Sequence, residues 1–365
     1  MISRRIFTRN HRKSKRKEQE LEAGGKRVVS LKDIAKECSV SVATVSKALN
    51  GHQDISPETR ERIVRKAEEM GYMTNAAARA LKTNRTYNIG VLFVDTQQGG
   101  LALAHDFFSS VLDGIRQEAE RNGYDITFIS SNFGKRGGTY LQHCRYRGVD
   151  GVVIASADFN DPLILELVDS DLPVVTIDHM FNGHISVMSD NVNGMDALVR
   201  YVAERGHRKL ALIHGERTSV TASRLAGFYR ACEEYGITLR EDMVLEGSFH
   251  DPQKCGILTK RILEAKDRPD CIFFPDDYSY IGGLNAIQEA GLKVPEDISA
   301  VGYDGIPLSR ILSPKLTTWK QNTTGLGNTA AERLIELIER PKMSIPDRVI
   351  IHGELQEGGS VADLR

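Results

Sequence analysis

The stretch SVSVATVSKALNG, which runs from Ser39 to Gly51, decides the fold of the N-terminal part of the chain. On a helical period of 3.6 residues, its apolar side chains fall on one face and a narrow polar face lies beside them. The two faces consist of Val45, Ala48 and Leu49, and of Ala43, Lys47 and Asn50. The apolar face suits a protein core. We therefore predict a short helix whose other face is either solvated or contacts a partner.

Helix-start signals lie on both sides of this stretch. Ser30 and Asp33 have the spacing of a capping box, and Ser56 stands directly before a proline, which favours the first helical position. Ser41 can cap the central helix, which follows a tight turn. Three helices within about forty residues predict a small helical bundle at 28–74.

Charge is distributed unevenly along the 365 residues. Residues 1–27 carry a net charge of +7, the first 85 residues carry +10, and residues 86–365 carry −11. A basic head on an acidic body indicates that the head binds a polyanion such as nucleic acid. Residues 1–27 also lack apolar periodicity. We expect them to form a basic disordered leader, which either solubilises the chain or attracts phosphates.

From residue 89 onward, short apolar runs alternate with amphipathic helical patterns. The runs are IGVLFV, YDITFIS, GVVIAS, PVVTID, KLALIHG, CIFFPD and ISAVGYD. Uninterrupted runs of this kind fit strands that are buried on both faces of a parallel sheet. Repeated βαβ units predict a doubly wound α/β architecture. About 280 residues are more than one such sheet needs, so we expect two lobes with a cleft between them.

The composition argues against several classes of protein. Five scattered cysteines without a CxxC pair disfavour a zinc site and a disulfide framework, and suggest reduced thiols in a cytoplasmic protein. No apolar run approaches the roughly 18 residues of a membrane helix, and the basic N-terminus lacks the apolar stretch of a signal peptide. Walker, nucleophile-elbow and H-E-x-x-H motifs are missing. We therefore predict no enzymatic activity, no metal site and no cofactor.

Several motifs together identify a family. VSVATVSKALN is followed by ISPETRERI, MGY and NAAARAL, and later by DGVVIAS, ERGHRKLALI, SRLAGF, PEDISAVGYD and LTTWKQ. In these motifs the chain resembles the LacI/GalR family of bacterial transcription regulators over nearly its whole length after the leader. The resemblance implies a helix-turn-helix domain at 28–74, a hinge helix and linker at 75–85, and a two-lobed effector-binding and dimerisation domain of the periplasmic-binding-protein type at 86–365.

By this resemblance, the helix within Ser39–Gly51 enters the major groove of DNA. Val42, Ala43 and Lys47 occupy base-contacting positions, although periodicity alone leaves Val42 open between core and DNA. Val42 and Ala43 suit a thymine methyl group, whereas Lys47 can reach guanine O6 and N7. The hydroxyls expected to bind phosphates are those of Ser41, Thr44 and Ser46.

The segment NAAARAL, Asn75–Leu81, resembles the hinge helix of the family. A helix of seven residues is too short to be stable alone in water, so it would form when two copies pack together on DNA. Ala78 is small enough for close helix contact. Leu81 would insert into the minor groove and bend the duplex. A plain linker is the alternative.

The resemblance also implies an effector site in the cleft. Arg224 and Asp277 are expected to project from opposite walls, where charge-assisted hydrogen bonds suit the hydroxyls of a sugar. Phe107 and Phe108 occupy first-lobe aromatic positions and could stack on a sugar ring or a base, and Asp190 lies at the lobe boundary. Each has a structural alternative, such as an ion pair for Arg224 or core packing for Phe108.

Together these features predict a cytoplasmic transcriptional repressor. It would bind a pseudo-palindromic double-stranded operator as a homodimer, and a small effector, expected to be a sugar or sugar derivative, would set its operator affinity as inducer or corepressor. A tetramer stays open, although the C-terminal tail lacks leucine heptads. The alternative is a solute-binding protein of a transport system, which shares the two-lobed fold but needs a signal peptide and no helix-turn-helix.

Overall fold

The computed structural model describes residues 29–49, 52, 54–72, 85–94, 105–133 and 137–365. The chain divides into two compact units, Met1–Asn84 and Arg85–Arg365. Several sequence predictions lie outside the described residues, namely the leader 1–27, Asn50 and the hinge segment with Asn75, Ala78 and Leu81. Among the described residues, the helices are too short or too polar to span a lipid bilayer.

The described residues of the first unit form three helices around a small core. They are α1 (Leu31–Glu37), α2 (Val42–Leu49) and α3 (Pro57–Glu69). Ile34, Val45 and Ile63 are fully buried, so each helix contributes one side chain to the centre of this core. The predicted three-helix architecture is confirmed.

Serine residues determine where these helices begin. Ser30 donates from its backbone N–H and its hydroxyl to the Asp33 carboxylate, at 2.9 and 2.6 Å. Ser41 Oγ accepts the backbone N–H of Thr44 at 3.0 Å, which satisfies one donor that a helix start leaves free. Ser39 has a φ of 53° and forms the tight turn between α1 and α2. Few residues other than glycine adopt this left-handed conformation.

The described residues of the second unit form two six-stranded sheets, one in each lobe, with strand orders β11-β5-β4-β3-β1-β2 and β12-β10-β9-β8-β6-β7. Lobe 1 contains β1 (Asn88–Phe93), β2 (Asp125–Ile129), β3 (Gly151–Ser156), β4 (Val174–Ile177), β5 (Ile185–Ser189) and β11 (Arg348–Ile351). Lobe 2 contains β6 (Leu210–His214), β7 (Val244–Glu246), β8 (Cys271–Phe273), β9 (Ser299–Asp304), β10 (Thr317–Lys320) and β12 (Glu354–Gln356). Among these described strands the pairing is parallel, except that the edge strand β12 runs antiparallel to its neighbour β10. The predicted two-lobed α/β architecture is confirmed.

Helices cover both sheets. They are α4 (Asp106–Arg121), α5 (Tyr140–Arg147), α6 (Pro162–Val168), α7 (Asn191–Glu204), α8 (Ser219–Glu234), α9 (Pro252–Leu263), α10 (Tyr280–Glu289), α11 (Leu308–Ile311) and α12 (Thr323–Glu339). On lobe 1, α4 packs closely against α12. A Cβ atom at Gly327 of α12 would lie 2.0 Å from the carbonyl oxygen of Val111 in α4, so this approach requires glycine.

In the described part of the second unit, the chain crosses between the lobes three times, after β5, after β10 and after β11. Asp190, Gln321 and His352 lie at these three crossings. As a result, α12 and β11 complete lobe 1 although they follow most of lobe 2 in the sequence.

Candidate DNA-binding helix and effector cleft

The outer surface of α2 carries the side chains that the sequence assigns to base recognition. Val42, Ala43 and Lys47 are exposed, with 40% of Val42 accessible. In contrast, Val45 and Ala48 of the same helix are buried, at 0% and 2% exposure. The structure therefore places the side chain of Val42, which periodicity left open, outside the core.

Lys47 forms an exposed ion pair with an acidic residue that precedes α3. Its Nζ lies 2.5 Å from Asp54 Oδ2, and about half of each side chain is exposed, at 50% and 52%. The hydrogen bond from Lys47 lowers the pKa of Asp54 below its ordinary value. Exposed ion pairs of this kind are weak, so Lys47 can exchange Asp54 for another acceptor. The hydroxyls of Ser41 and Thr44 lie 2.8 Å apart at the start of α2.

Arg224, on α8 of lobe 2, is buried within a network of polar and aromatic groups. Its Nε donates to Asn191 Oδ1 at 2.9 Å, and its Nη1 donates to the carbonyl oxygen of Pro275 at 2.8 Å. The guanidinium carbon lies 3.6 Å from the centre of the Tyr303 ring, and Nη2 lies 3.7 Å from Asp304 Oδ1. This arrangement orients the guanidinium firmly. A cavity beside it is also lined by Thr221, Phe249 and Met195.

Asp277, in the loop after β8, is fully buried. Its carboxylate accepts hydrogen bonds from the backbone N–H of Ile306 at 3.0 Å and from Thr318 Oγ1 at 2.6 Å. Burial and the nearby charge of Asp304 raise the pKa of Asp277 well above its ordinary value.

Arg224 and Asp277 both belong to lobe 2, so the prediction that they project from opposite walls of the cleft is wrong. The physical reason is the topology of the chain. It enters lobe 2 after β5 and does not leave it until after β10, and both residues lie between these two crossings.

The two phenylalanines at the start of α4 lie in different surroundings. Phe107 is partly buried against the core of lobe 1. Phe108 is half-buried, and its ring centre lies 5.6 Å from that of His250 in lobe 2. Of the two, Phe108 is therefore the one that faces the opposite lobe.

Hydrogen bonds link side chains at the three crossings. Asp190 Oδ2, at the first crossing, accepts from His352 Nδ1 at the third, at 2.6 Å. Gln321 Nε2, at the second crossing, donates to Asp304 Oδ1 at 2.7 Å. The lobes also touch where Ser219 Oγ of lobe 2 donates to the backbone carbonyl of residue 178 in lobe 1, at 2.8 Å.

Sequence reasoning missed three cleft residues that the structure brings together, namely His105, His250 and Asp304. The His105 and His250 ring centres are 3.9 Å apart, although the residues belong to different lobes. His105 is 4% exposed, and its Nδ1 caps α4 by accepting the N–H of Phe107 at 3.2 Å. Burial and the neighbouring His250 lower the pKa of His105. An isolated histidine directly before an amphipathic helix was the only sequence signal for this position.

Comparison with known families gives two matches. Residues 30–75 match bacterial regulatory proteins of the lacI family, and residues 199–361 match a periplasmic binding protein-like domain. The chain is 33% identical over 323 residues to the HTH-type transcriptional repressor PurR of Vibrio atlanticus, which covers 86% of this chain and 92% of that protein. It is 31% identical over 342 residues to PurR of Escherichia coli O139:H28, with coverage of 92% and 98%.

Solved structures show the same architecture. The lac repressor dimer bound to operator and the anti-inducer ONPF is similar with a TM-score of 0.74 and 25% identity, over 92% of this chain and 100% of that one. The regulator CelR in complex with cellobiose has a TM-score of 0.66 and 26% identity, over 91% and 99%. A regulator from Enterococcus faecium with bound ribose has a TM-score of 0.64 and 26% identity, over 76% and 100%.

Proposed function

Because the chain belongs to the lacI family of bacterial regulatory proteins, we propose that it represses transcription in the cytoplasm by binding an operator through α2, under the control of an effector in the cleft of its second unit. It is a DNA-binding transcriptional regulator and not an enzyme. The observation that carries the proposal is the exposed outer face of α2 on a helix-turn-helix core, in one chain with a two-lobed effector domain.

On DNA, Lys47 exchanges Asp54 for the O6 and N7 acceptors of a guanine, while Val42 and Ala43 contact a thymine methyl group. Two copies bind the two halves of a pseudo-palindromic operator, because a two-fold symmetric dimer presents two equivalent recognition helices.

The effector is a sugar or a sugar derivative. Arg224, Asp190 and Asp304 supply the charged donors and acceptors that bind hydroxyl groups, and Phe108 supplies an apolar ring surface. The similar proteins solved with cellobiose and with ribose support this class of compound. A planar heterocycle is the second candidate, because the rings of Phe108, Phe249 and the two histidines give the cleft several aromatic faces.

A thermal-shift screen of the full-length chain against sugars, sugar phosphates, nucleosides and nucleobases tests this proposal. A ligand at one hundred times its Kd stabilises the folded state by about 2.7 kcal/mol. An operator selected from random DNA is then bound in the presence and absence of the compound that stabilises the chain. We expect the compound to change the operator affinity of the wild type.

The matched variant for this screen is Arg224→Lys, which keeps the positive charge but loses the planar fork of donors. We expect it to lose the effector response while it still binds the operator if the effector is an inducer. If the effector is a corepressor, the variant should bind weakly with or without the compound. A wild-type response, in affinity and amplitude, would place the effector elsewhere.

A further inference from the structure

One group of side chains comes together where the two lobes of the second unit meet. His105 comes from lobe 1, whereas His250 and Asp304 come from lobe 2. One possible ligand atom from each of the three side chains lies within 4.8 Å of the other two. Two imidazoles and a carboxylate at this spacing are a donor set that divalent transition metals prefer.

The unsatisfied nitrogen of His105 is the first observation that points to a ligand at this place. Nδ1 accepts the N–H of Phe107, so Nε2 carries the ring proton in this tautomer. Nε2 is buried and has no hydrogen-bond partner among the described residues, in a side chain that is 4% exposed. Buried polar atoms in native proteins almost always have a partner, so this orphan requires an explanation.

The other two side chains are held in place from outside the group. His250 and Asp304 have φ values of 55° and 101°, conformations that persist only where the surroundings enforce them. Asp276 Oδ2 accepts the backbone N–H of His250 at 2.9 Å, and Gln321 Nε2 donates to Asp304 Oδ1 at 2.7 Å. Supporting hydrogen bonds of this kind orient metal ligands in known sites. They leave Asp304 Oδ2 as the oxygen that can bind an ion.

Although the sequence predicts no metal site, we propose that His105, His250 and Asp304 form a binding site for a divalent transition metal ion such as Zn²⁺, Ni²⁺ or Co²⁺. Three protein ligands leave a fourth position open for water or for an oxygen of the effector. The proposal rests on the proposed function, because it places an ion inside the effector cleft and makes that ion part of the regulation. Since the ligands come from both lobes, the bound ion holds the lobes together.

Coordination requires small movements. Donors bound at about 2.0 Å in a tetrahedral site lie about 3.3 Å apart, so the present separation shrinks by about 1.5 Å at most. Rotation of the half-buried His250 side chain supplies part of this change. The ring proton of His105 also moves to Nδ1, where it faces the N–H of Phe107, and the capping hydrogen bond of α4 opens. One cap contributes much less free energy than a set of metal–ligand bonds, so binding stays favourable.

Calorimetric titration of the untagged full-length protein, first freed of metal with a chelator, tests the site. ZnCl₂, NiCl₂ and CoCl₂ are added separately, and thermal unfolding is followed at each concentration. We expect one saturable equivalent per chain, a higher Tm, and the visible absorption of four-coordinate Co²⁺.

Two asparagine variants remove ligands with little damage to the backbone. His105→Asn keeps an oxygen that can cap α4, and His250→Asn tolerates the left-handed conformation. Each should weaken metal binding at least about 100-fold, because loss of an outer-shell partner alone costs 10–100-fold. His184→Asn, at a half-buried histidine elsewhere in lobe 1, is the matched control and should bind metal like the wild type.

The possible outcomes test the proposed metal site and the proposed regulatory function separately. Absence of saturable binding, or undiminished binding by both His105→Asn and His250→Asn, overturns the metal site even if the metal-free protein binds its operator. Binding of a sugar that depends on His105 while none of the three metals binds also overturns it. Failure of the wild type to select any operator, with or without metal, counts against the proposed function, while the calorimetry still decides the metal site.

Discussion

The outer face of α2 and the cleft of the second unit hold their functional side chains in opposite environments. Lys47 is half exposed on a continuous helix and has one weak partner. Arg224 is buried, and its neighbours come from three separate segments of the chain. The contrast teaches that a cation on a helix surface can change partners freely. A buried cation, by comparison, also stabilises the fold, because buried groups depend on it as a partner. Substitution of Arg224 should therefore lower the stability of the fold, whereas substitution of Lys47 should change DNA binding.

The largest effect is expected in the cleft. Arg224→Ala removes the donors to Asn191 and leaves the nearby Asp304 carboxylate without its cation, so we expect the free energy of unfolding to fall by about 3–5 kcal/mol. Urea unfolding of the full-length chain measures this. The control is Arg230→Ala on the same helix, whose exposed pair with Asp196 should contribute at most about 1 kcal/mol. Equal losses of unfolding free energy in Arg224→Ala and Arg230→Ala would contradict the predicted difference between buried and exposed cations.

On α2 the effect should fall on DNA binding and leave stability unchanged. Lys47→Ala is expected to weaken binding to the selected operator by about 1–3 kcal/mol and to relax the preference for guanine at one position in each half-site. Lys66→Ala on α3, which also removes the lysine of an exposed ion pair, is the control. A uniform loss across all DNA sequences would instead identify Lys47 as a phosphate contact.

The smallest effect concerns proton binding at Asp277. Its raised pKa means that the folded state retains a proton that the unfolded state has released, so wild-type stability falls as pH rises above about 3.9 towards the folded pKa. Asp277→Asn cannot ionise and can keep a carbonyl oxygen for Ile306. We expect this variant to gain stability relative to the wild type between pH 5 and pH 8, as urea unfolding at both pH values would reveal. If the difference in unfolding free energy between Asp277→Asn and the wild type is the same at pH 5 and pH 8, the raised pKa of Asp277 is contradicted.

The pKa of Asp270, which also belongs to lobe 2, is shifted in the opposite direction to that of Asp277. Burial acts to raise its pKa, but hydrogen bonds from His207 and from two backbone N–H groups lower it below the ordinary value. Its stabilisation is therefore present above the unfolded pKa and is lost as pH falls through the folded pKa. Asp270→Asn should cost stability at pH 5 and above, and this cost should shrink below about pH 4.

Features that local sequence determines could be predicted, as in the first unit, whereas features that depend on contacts between distant segments, as in the cleft, could be predicted less well. The caps at Ser30 and Ser56 and the apolar period of α2 are local signals, and each helix of the first unit begins where they indicate. The seven apolar runs correspond to β1–β4, β6, β8 and β9. The other strands were missed because they contain three to five residues or carry hydroxyls. In β5, for example, Ser186 is fully buried, and its hydroxyl pairs with Thr176 of β4 at 3.1 Å.

The cleft was predicted less well because its geometry depends on contacts between distant segments. Arg224 was recognised from its motif, yet it and Asp277 were expected on opposite walls because no local pattern marks a crossing between lobes. His105 and His250 were assigned no role from the sequence, and they meet only when the lobes come together. Asp304 ends a run that was recognised as a strand. Its position beside Arg224, however, depends on the packing of segments that are distant in the sequence.

The three crossings also determine when each lobe can be finished during synthesis on the ribosome. Helix α12 buries Leu326, Ala330 and Leu334 against lobe 1, and β11 adds the edge strand of its sheet. Both emerge only after nearly all of lobe 2 has been translated, so the nascent lobe 1 waits with one apolar face uncovered. A chain that stops before residue 323 is therefore expected to aggregate, and it would not yield a smaller working regulator.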